Sequence, residues 1–388
     1  MSAWKVLGAA SLAQVGVSLV EQGIPTLTGF IKTDLKLSAA TAGLAVSSFS
    51  FGRIVGSYAA GTAADRIGER RVLLVGGLAT GALVALAAAA PVPVVFLLLV
   101  LAGIGGASAT PAGGRMVLLA FPRQRRGLAL SIRQCGIPLG GLCAAVLLPR
   151  IAHVASWRWS LVAAAGGTVM LALPLLATPS RDGASLGPGV RPPVHSRNVV
   201  LLTVWGCLVV TGQYALLAFL ALDLHQADGM SLTKGSLLVA FANVLGILGR
   251  ILWGALSDRL LTRGRKPVLL FLTSAGLGSA LLLFAVPRPS PLGVSLVAAG
   301  FAGLALIGYQ GLWITMLTEA AGPARVGAAT GFAVTFVTVA IALTAPVYGL
   351  VADLTGSYRA IWIALAGVLT LAFVPAFLVR ESAPELCP

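Results

Sequence analysis

Apolar stretches of about twenty residues or more recur along this chain at nearly even spacing, and no other feature constrains its fold as tightly. The first six run near residues 5–30, 39–60, 72–90, 94–119, 127–149 and 159–178. The second six run near 198–222, 233–256, 267–287, 292–317, 327–350 and 360–379. A helix needs about 20 apolar residues to cross the hydrocarbon core of a bilayer. Twelve such stretches in 388 residues leave short loops and no room for a soluble domain. Only 10% of the residues are charged and 57% are hydrophobic, against about 25% charged in a soluble domain. So few charges cannot cover the surface of a water-soluble enzyme or a nucleic-acid-binding domain. The expected fold is an all-α membrane protein with twelve transmembrane helices, its partner surface the lipid bilayer.

The first apolar run is too long for a signal-peptide core and lacks a small-residue cleavage site, so it is expected to stay as the first span. Residues 179–197 are polar and rich in Gly and Pro, and they divide the chain near its midpoint. The predicted organisation is a six-helix bundle over 1–178, a cytoplasmic linker over 179–197 and a second bundle over 198–388. With the N-terminus inside, sixteen Lys and Arg fall in inner segments and seven in outer ones. That asymmetry predicts both termini in the cytoplasm. It also accounts for the net charge of +15 without nucleic acid. Cys135, Cys143, Cys207 and Cys387 form no CxxC pair and have no His at metal spacing, which argues against a disulfide or a metal site.

Two loops repeat. Gly61-Thr-Ala-Ala-Asp65-Arg66-Ile-Gly68-Glu69-Arg70-Arg71-Val-Leu73 follows the second stretch, and Gly254-Ala-Leu-Ser-Asp258-Arg259 follows the eighth, 193 residues later. Pro122-Arg-Gln-Arg-Arg-Gly127 and Pro323-Ala-Arg325-Val-Gly327 form a second pair at an offset near 200. Two six-helix pseudo-repeats are what a parallel-repeat transporter requires.

The first loop resembles the signature G-x-L-A-D-R-x-G-R-R-x-x-L of the major facilitator superfamily, matched by Gly61, Ala64, Asp65, Arg66, Gly68, Arg70 or Arg71, and Leu73. Ala63 replaces the leucine, and Glu69 stands where a basic residue is usual. The resemblance implies a secondary transporter working by alternating access. It assigns a gating role to Gly61, Asp65, Arg66, Gly68 and Arg71, and to the second-copy residues Gly254, Asp258 and Arg259. Asp65 can cap the start of the eleventh span or pair with an arginine across the halves. In the fifth span, Arg133-Gln-Cys-Gly136-Ile-Pro138-Leu-Gly140-Gly141 departs from the drug/proton antiporter signature, because its Gly-Pro pair is split. It looks more like the organic-anion, monocarboxylate and cyanate-type permeases.

Ionisable residues inside a span are costly and mark candidate sites. Five stand out: Glu21, Arg53, Arg115, Arg133 and Arg250. Gln14, Ser18 and Glu21 share one face of the first span. Glu21 is either a proton-coupling carboxyl or one bonded to a neighbouring helix. Arg115 lies near the cytoplasmic end and reads as a gate residue. Four arginines against one acid give a positive interior, and a guanidinium binds a carboxylate through two parallel bonds. Substrate contact is assigned to Arg53, Arg133 and Arg250, with Asn243 on the face of Arg250; the alternatives are a gating ion pair for Arg250 and a structural role for Arg133. In the second half, Gln213, Tyr309, Gln310 and Trp313 either line a substrate site or pack the core.

No HExxH, Walker loop, GxSxG or Cys/His cluster is present, so an enzyme, a cofactor and ATP drive are not expected. The predicted function is proton-coupled transport of a small organic anion across the cell membrane by a monomer. The alternatives are an exporter of drugs or other hydrophobic compounds, and a transport-like receptor.

Overall fold

A computed structural model of the protein describes residues 2–34, 39–179, 196–230, 232–260, 264–287, 289–322 and 324–380. Most of the 179–197 linker and Cys387 lie outside the described residues. Twelve helical segments follow one another: α1 Ala3–Asp34, α2 Ala39–Ile67, α3 Glu69–Ala89, α4 Val92–Ala120, α5 Arg123–Val154 and α6 Trp157–Ala177. Then come α7 Arg197–Asp228, α8 Leu232–Arg259, α9 Lys266–Ala285, α10 Leu292–Ala321, α11 Val326–Thr355 and α12 Ala360–Leu378. Eleven are long and apolar enough to cross a membrane among the described residues, and α2 adds a helix of 29 residues. No strand occurs among the described residues. Large apolar side chains such as Phe51, Leu97, Met170 and Leu371 stand exposed, a surface that lipid covers and water would not. The protein is a multi-pass membrane protein.

The structure departs from the hydropathy reading in two places. The segment read as a loop after residue 60 is the polar end of α2, which runs two further turns and carries Asp65 on its last turn. The fourth and tenth spans are interrupted rather than continuous, and the fifth is broken for one residue at Cys135. In α4 the helix stops at Gly106 and restarts at Ala109. In α10 a π-helical turn over Gly303–Ile307 precedes the restart at Gln310. Glycines flank both breaks, and there the neighbouring helix comes closest. A Cβ on Gly103 would overlap the carbonyl of Phe49 in α2, and one on Gly303 would overlap that of Ala242 in α8. Phe49 and Ala242 are again 193 residues apart.

Two compact units are present. The first comprises Met1–Pro122, Ile132–Val194 and Ala321–Thr335, and the second comprises Arg123–Ser131, His195–Ala320 and Phe336–Pro388. The start of α11 thus belongs with α1–α4 and α6, and the start of α5 with α7–α10 and α12.

Inside each unit the same polar devices close the helix ends. The last carbonyls of a helix have no partner within it, and a cation nearby also complements the helix dipole. In the first unit Arg158 donates to the carbonyls of Ala88 (2.7 Å) and Ala90 (3.1 Å) at the end of α3. In the second, Arg359 donates to those of Phe284 (2.6 Å) and Val286 (3.4 Å) at the end of α9. Arg70 reaches the carbonyls of Leu175 and Leu176 at the end of α6, as Lys266 reaches those of Phe377 and Val379 after α12. Gly68 and Gly264, at φ 94 and 82, turn the chain into α3 and α9; only glycine adopts that conformation without strain.

Arg158→Ala and Arg359→Ala each remove two bonds from a charged donor, and each should cost about 1–2 kcal/mol of stability. Lysine at either position should recover part of the loss, because Lys266 already serves the same purpose. Thermal unfolding of the purified protein in detergent measures this. Unchanged melting temperatures in both alanine variants would show that these bonds do not hold the helix ends.

Candidate functional site

In the first unit, α1 presents the polar face expected from its spacing. Gln14 and Ser18 are buried, and Gln14 Nε2 donates to Ser18 Oγ at 3.2 Å. Arg133 of α5 is fully buried against them. Its Nη1 donates to Gln14 Oε1 at 2.9 Å, and its Nη2 to the carbonyl of Thr110 at 2.9 Å, just beyond the break in α4. The guanidinium lies against Gly113, where a Cβ would come within 3.3 Å of it. Two turns along α1 from Gln14, Glu21 forms an ion pair with Arg53 of α2. Both side chains keep some exposure, 18% and 12%. Arg53 Nε has no partner among the described residues. Glu21 is therefore not an isolated carboxyl. Of the two roles open to it, the structure shows bonding to a neighbouring helix, and the bond is to the arginine assigned to substrate.

In the second unit the break in α10 is filled from α8. Arg250, almost fully buried, donates from Nε to the carbonyl of Ile307 at 3.3 Å, and Trp253 Nε1 donates to that of Leu304 at 2.9 Å. A π-turn displaces these carbonyls from the regular helical ladder, and α8 supplies donors to them. Gln310 Nε2 donates to Gln213 Oε1 at 2.9 Å. Tyr309 meets Trp205 of α7 edge-on at 5.6 Å. Trp313 donates from Nε1 to the carbonyl of Leu202 at 2.7 Å, also in α7. Both rings are thus buried against one helix. Asn243 is bonded within its own helix, to the carbonyl of Val239.

At the opposite helix ends, each unit carries a carboxylate that caps a helix start. Asp65 accepts the N–H groups of Gly327 (2.9 Å) and Ala328 (2.8 Å), the first turn of α11. Asp258 accepts those of Gly127 (3.0 Å) and Leu128 (2.9 Å) in α5. These are four of the orphan donors that every helix start leaves. Asp65 also pairs with Arg115 Nε at 3.1 Å, and Arg115 pairs with Glu69. Asp258 pairs with Arg265 at 2.9 Å, and Arg265 pairs with Glu319 at 3.0 Å. Asp65 caps α11 as expected, but the arginine it pairs with, Arg115, comes from its own half and not from across the halves. A Cβ at Gly61 would overlap the carbonyl of Gly327, and one at Gly254 would overlap Ser131 Oγ, so glycine permits both approaches. Arg66, Arg71 and Arg259 are exposed. Glu69, Arg265 and Glu319 belong to them and were not singled out from the sequence. The one signal was Glu69 itself, an acid where the signature has a base. Asp223, a fully buried acid of α7 that accepts from Trp362 Nε1 at 2.8 Å, was also missed. It sits one residue past the predicted end of its span.

Among the described residues no group of His, Cys, Asp or Glu could hold a metal ion. The arrangement offers charge pairs and amides for binding. Asp65→Asn keeps an acceptor for the α11 start but removes the charge that Arg115 needs. Transport should slow tenfold or more while substrate Kd changes less than about threefold, since Asp65 lies at the helix ends and away from Glu21. Equal losses of rate and affinity would place Asp65 at the substrate instead.

The sequence profile described as Major Facilitator Superfamily matches residues 10–344 and 202–386. An uncharacterized MFS-type transporter of Mycobacterium tuberculosis is 33% identical over 89% of this chain and 78% of its own length. A hexuronate transporter of Bacillus subtilis is 26% identical over 88% and 86%. A crystal structure of the transporter FucP in the outward conformation superposes with a TM-score of 0.76 over 98% of this chain and 99% of that one, at 16% identity. The interrupted fourth helices, the duplicated capping aspartates and these likenesses converge on one statement: the chain belongs to the Major Facilitator Superfamily of membrane transporters.

Proposed function

We propose that the protein carries small organic anions across the cell membrane together with protons, and that the Glu21–Arg53 pair is where the two meet. The pair carries the reading. Inside a bilayer an ion pair is tolerable because it is neutral, and separating its members is expensive. An anion that binds Arg53 through the unused side of the fork places a second negative charge beside Glu21. One proton on Glu21 restores neutrality. The loaded site then holds one anion and one proton, and release of both regenerates the original pair. Arg53 suits a carboxylate because its planar fork makes two parallel bonds. The hexuronate transporter among the relatives is named for a sugar acid, which fits this chemistry.

In the second unit we assign substrate contact or cavity lining to Gln213, Asn243, Arg250, Tyr309, Gln310 and Trp313. The moving bodies are the six-helix bundles 1–178 and 198–388, joined by 179–197, in a monomer with both termini cytoplasmic. The Asp65–Arg115 and Asp258–Arg265 clusters act as the inner gate. The capped starts of α11 and α5 must come away from their aspartates when that side opens, so the two clusters set the height of the barrier.

Glu21→Gln imitates the protonated carboxyl at nearly the same shape and frees Arg53. In proteoliposomes the variant should bind and exchange a labelled carboxylate such as D-glucuronate, yet fail to concentrate it under an imposed pH gradient. Arg53→Gln should lose carboxylate binding by at least about tenfold, and Arg53→Lys should restore little of it. Concentrative uptake by Glu21→Gln at the parental level would remove Glu21 from the coupling. Efficient transport of a lipophilic cation by the parent protein would overturn the anion assignment.

A further inference from the structure

The first unit holds three intramembrane arginines, and two of them have acids. Arg53 has Glu21, and Arg115 has Asp65 and Glu69. Arg133 has none among the described residues. It is fully buried, its three acceptors are the neutral oxygens of Gln14, Ala109 and Thr110, and its Nε has no partner. Burying an unpaired guanidinium is costly. The contacts it makes do not need a charge, because a glutamine amide could donate to two of the same oxygens. The feature of Arg133 that its contacts leave unexplained is the charge itself.

We propose that Arg133 is a fixed source of positive potential that selects anions at the Glu21–Arg53 pair without touching them. This rests on the anion reading above and deepens it. Sealed behind Gln14 and the break in α4, the guanidinium can be neither hydrated nor neutralised by substrate, so its field persists through the cycle. Gln14 and Glu21 are seven residues apart on α1, about 10 Å along the helix axis. At an effective dielectric constant of about 20, a unit charge at that distance changes anion affinity on the order of tenfold. Arg133 is then a specificity-determining residue that acts through space, and a brace on α4 only secondarily.

Two substitutions separate the charge from the brace. Binding of lactate, D-glucuronate and sulfoacetate to the purified full-length protein is followed by tryptophan fluorescence, and the tightest of the three is carried forward. Arg133→Gln keeps donors for the carbonyls and loses the charge; its Kd should rise about tenfold. Arg133→Lys keeps the charge and loses the fork; its Kd should stay within about threefold of the parent even if its melting temperature falls. Moving the charge one side chain away, in Arg133→Gln with Gln14→Lys, should bring the Kd back toward the parental value. Parental affinity in Arg133→Gln overturns the proposal and leaves the anion reading intact. So does a Lys variant as weak as the Gln variant. If Arg133→Gln does not fold, the Lys variant decides the matter: a Kd within about threefold of the parent supports the proposal, and a Kd raised about tenfold overturns it. A parent protein that binds none of the three carboxylates overturns both this inference and the reading beneath it.

Discussion

Every backbone N–H and C=O that a helix leaves unpaired must find a partner inside the protein, because the hydrocarbon around it offers none. A set of charged and polar side chains in this protein meets that requirement. Asp65 and Asp258 take the free donors at two helix starts. Arg70, Lys266, Arg158 and Arg359 donate to carbonyls at four helix ends. Arg133, Arg250 and Trp253 donate to carbonyls at the breaks in α4 and α10. A charged side chain does this better than a neutral one, because it also meets the partial charge of the helix end. The same groups hold the helices in place and supply the charge that a solute crossing the membrane must meet.

The number and order of the helices were legible because hydropathy over about 20 residues reports the thickness of a bilayer and little else. The duplication was legible too, since the Gly-x3-Asp-Arg loops return at a fixed offset. The breaks in α4 and α10 were not. Hydropathy is blind to backbone hydrogen bonding, and Gly103 to Gly106 reads as apolar whether or not the helix continues. The glycine cluster is the available sign, but close packing of two continuous helices calls for glycine just as a break does. Arg158 and Arg359 were counted as outer basic residues when both are helix caps. Charge counting gives the side of the membrane on which a residue lies but not the carbonyl to which it donates.

The site divides in the same way. Spacing placed Gln14, Ser18 and Glu21 on one face of α1, and the structure keeps them there. It could not show that Arg53 would meet Glu21, because the rotation of one helix against its neighbour is set by packing and not by either helix's own periodicity. Glu69 was visible as a departure from the signature, but its partner Arg115 is 46 residues away. A charge in an unexpected place asks for an opposite charge, and a sequence alone does not give its address.

The two aspartate clusters show which of these demands fix a residue and which leave it free. At the start of α3 the acid Glu69 pairs with the base Arg115 of α4. At the start of α9 the polarity is reversed, and the base Arg265 pairs with the acid Glu319 of α10. The capping residue is aspartate both times. A helix start presents N–H donors, so only an acceptor can close it, and a carboxylate closes it best. The neighbouring pair has only to cancel its own charge in a place without water, and either polarity does that. The reversal has unequal costs, however. Glu69 sits favourably at the positive end of α3, whereas Arg265 sits at the positive end of α9 and depends on Asp258 and Glu319 together to remain there. The cluster in the second unit therefore holds its arginine against the helix dipole, and the one in the first unit holds its glutamate with it. Two copies of one geometry thus begin from different electrostatic balances, and Arg265 is held in addition by Ser257 Oγ and the carbonyl of Arg123.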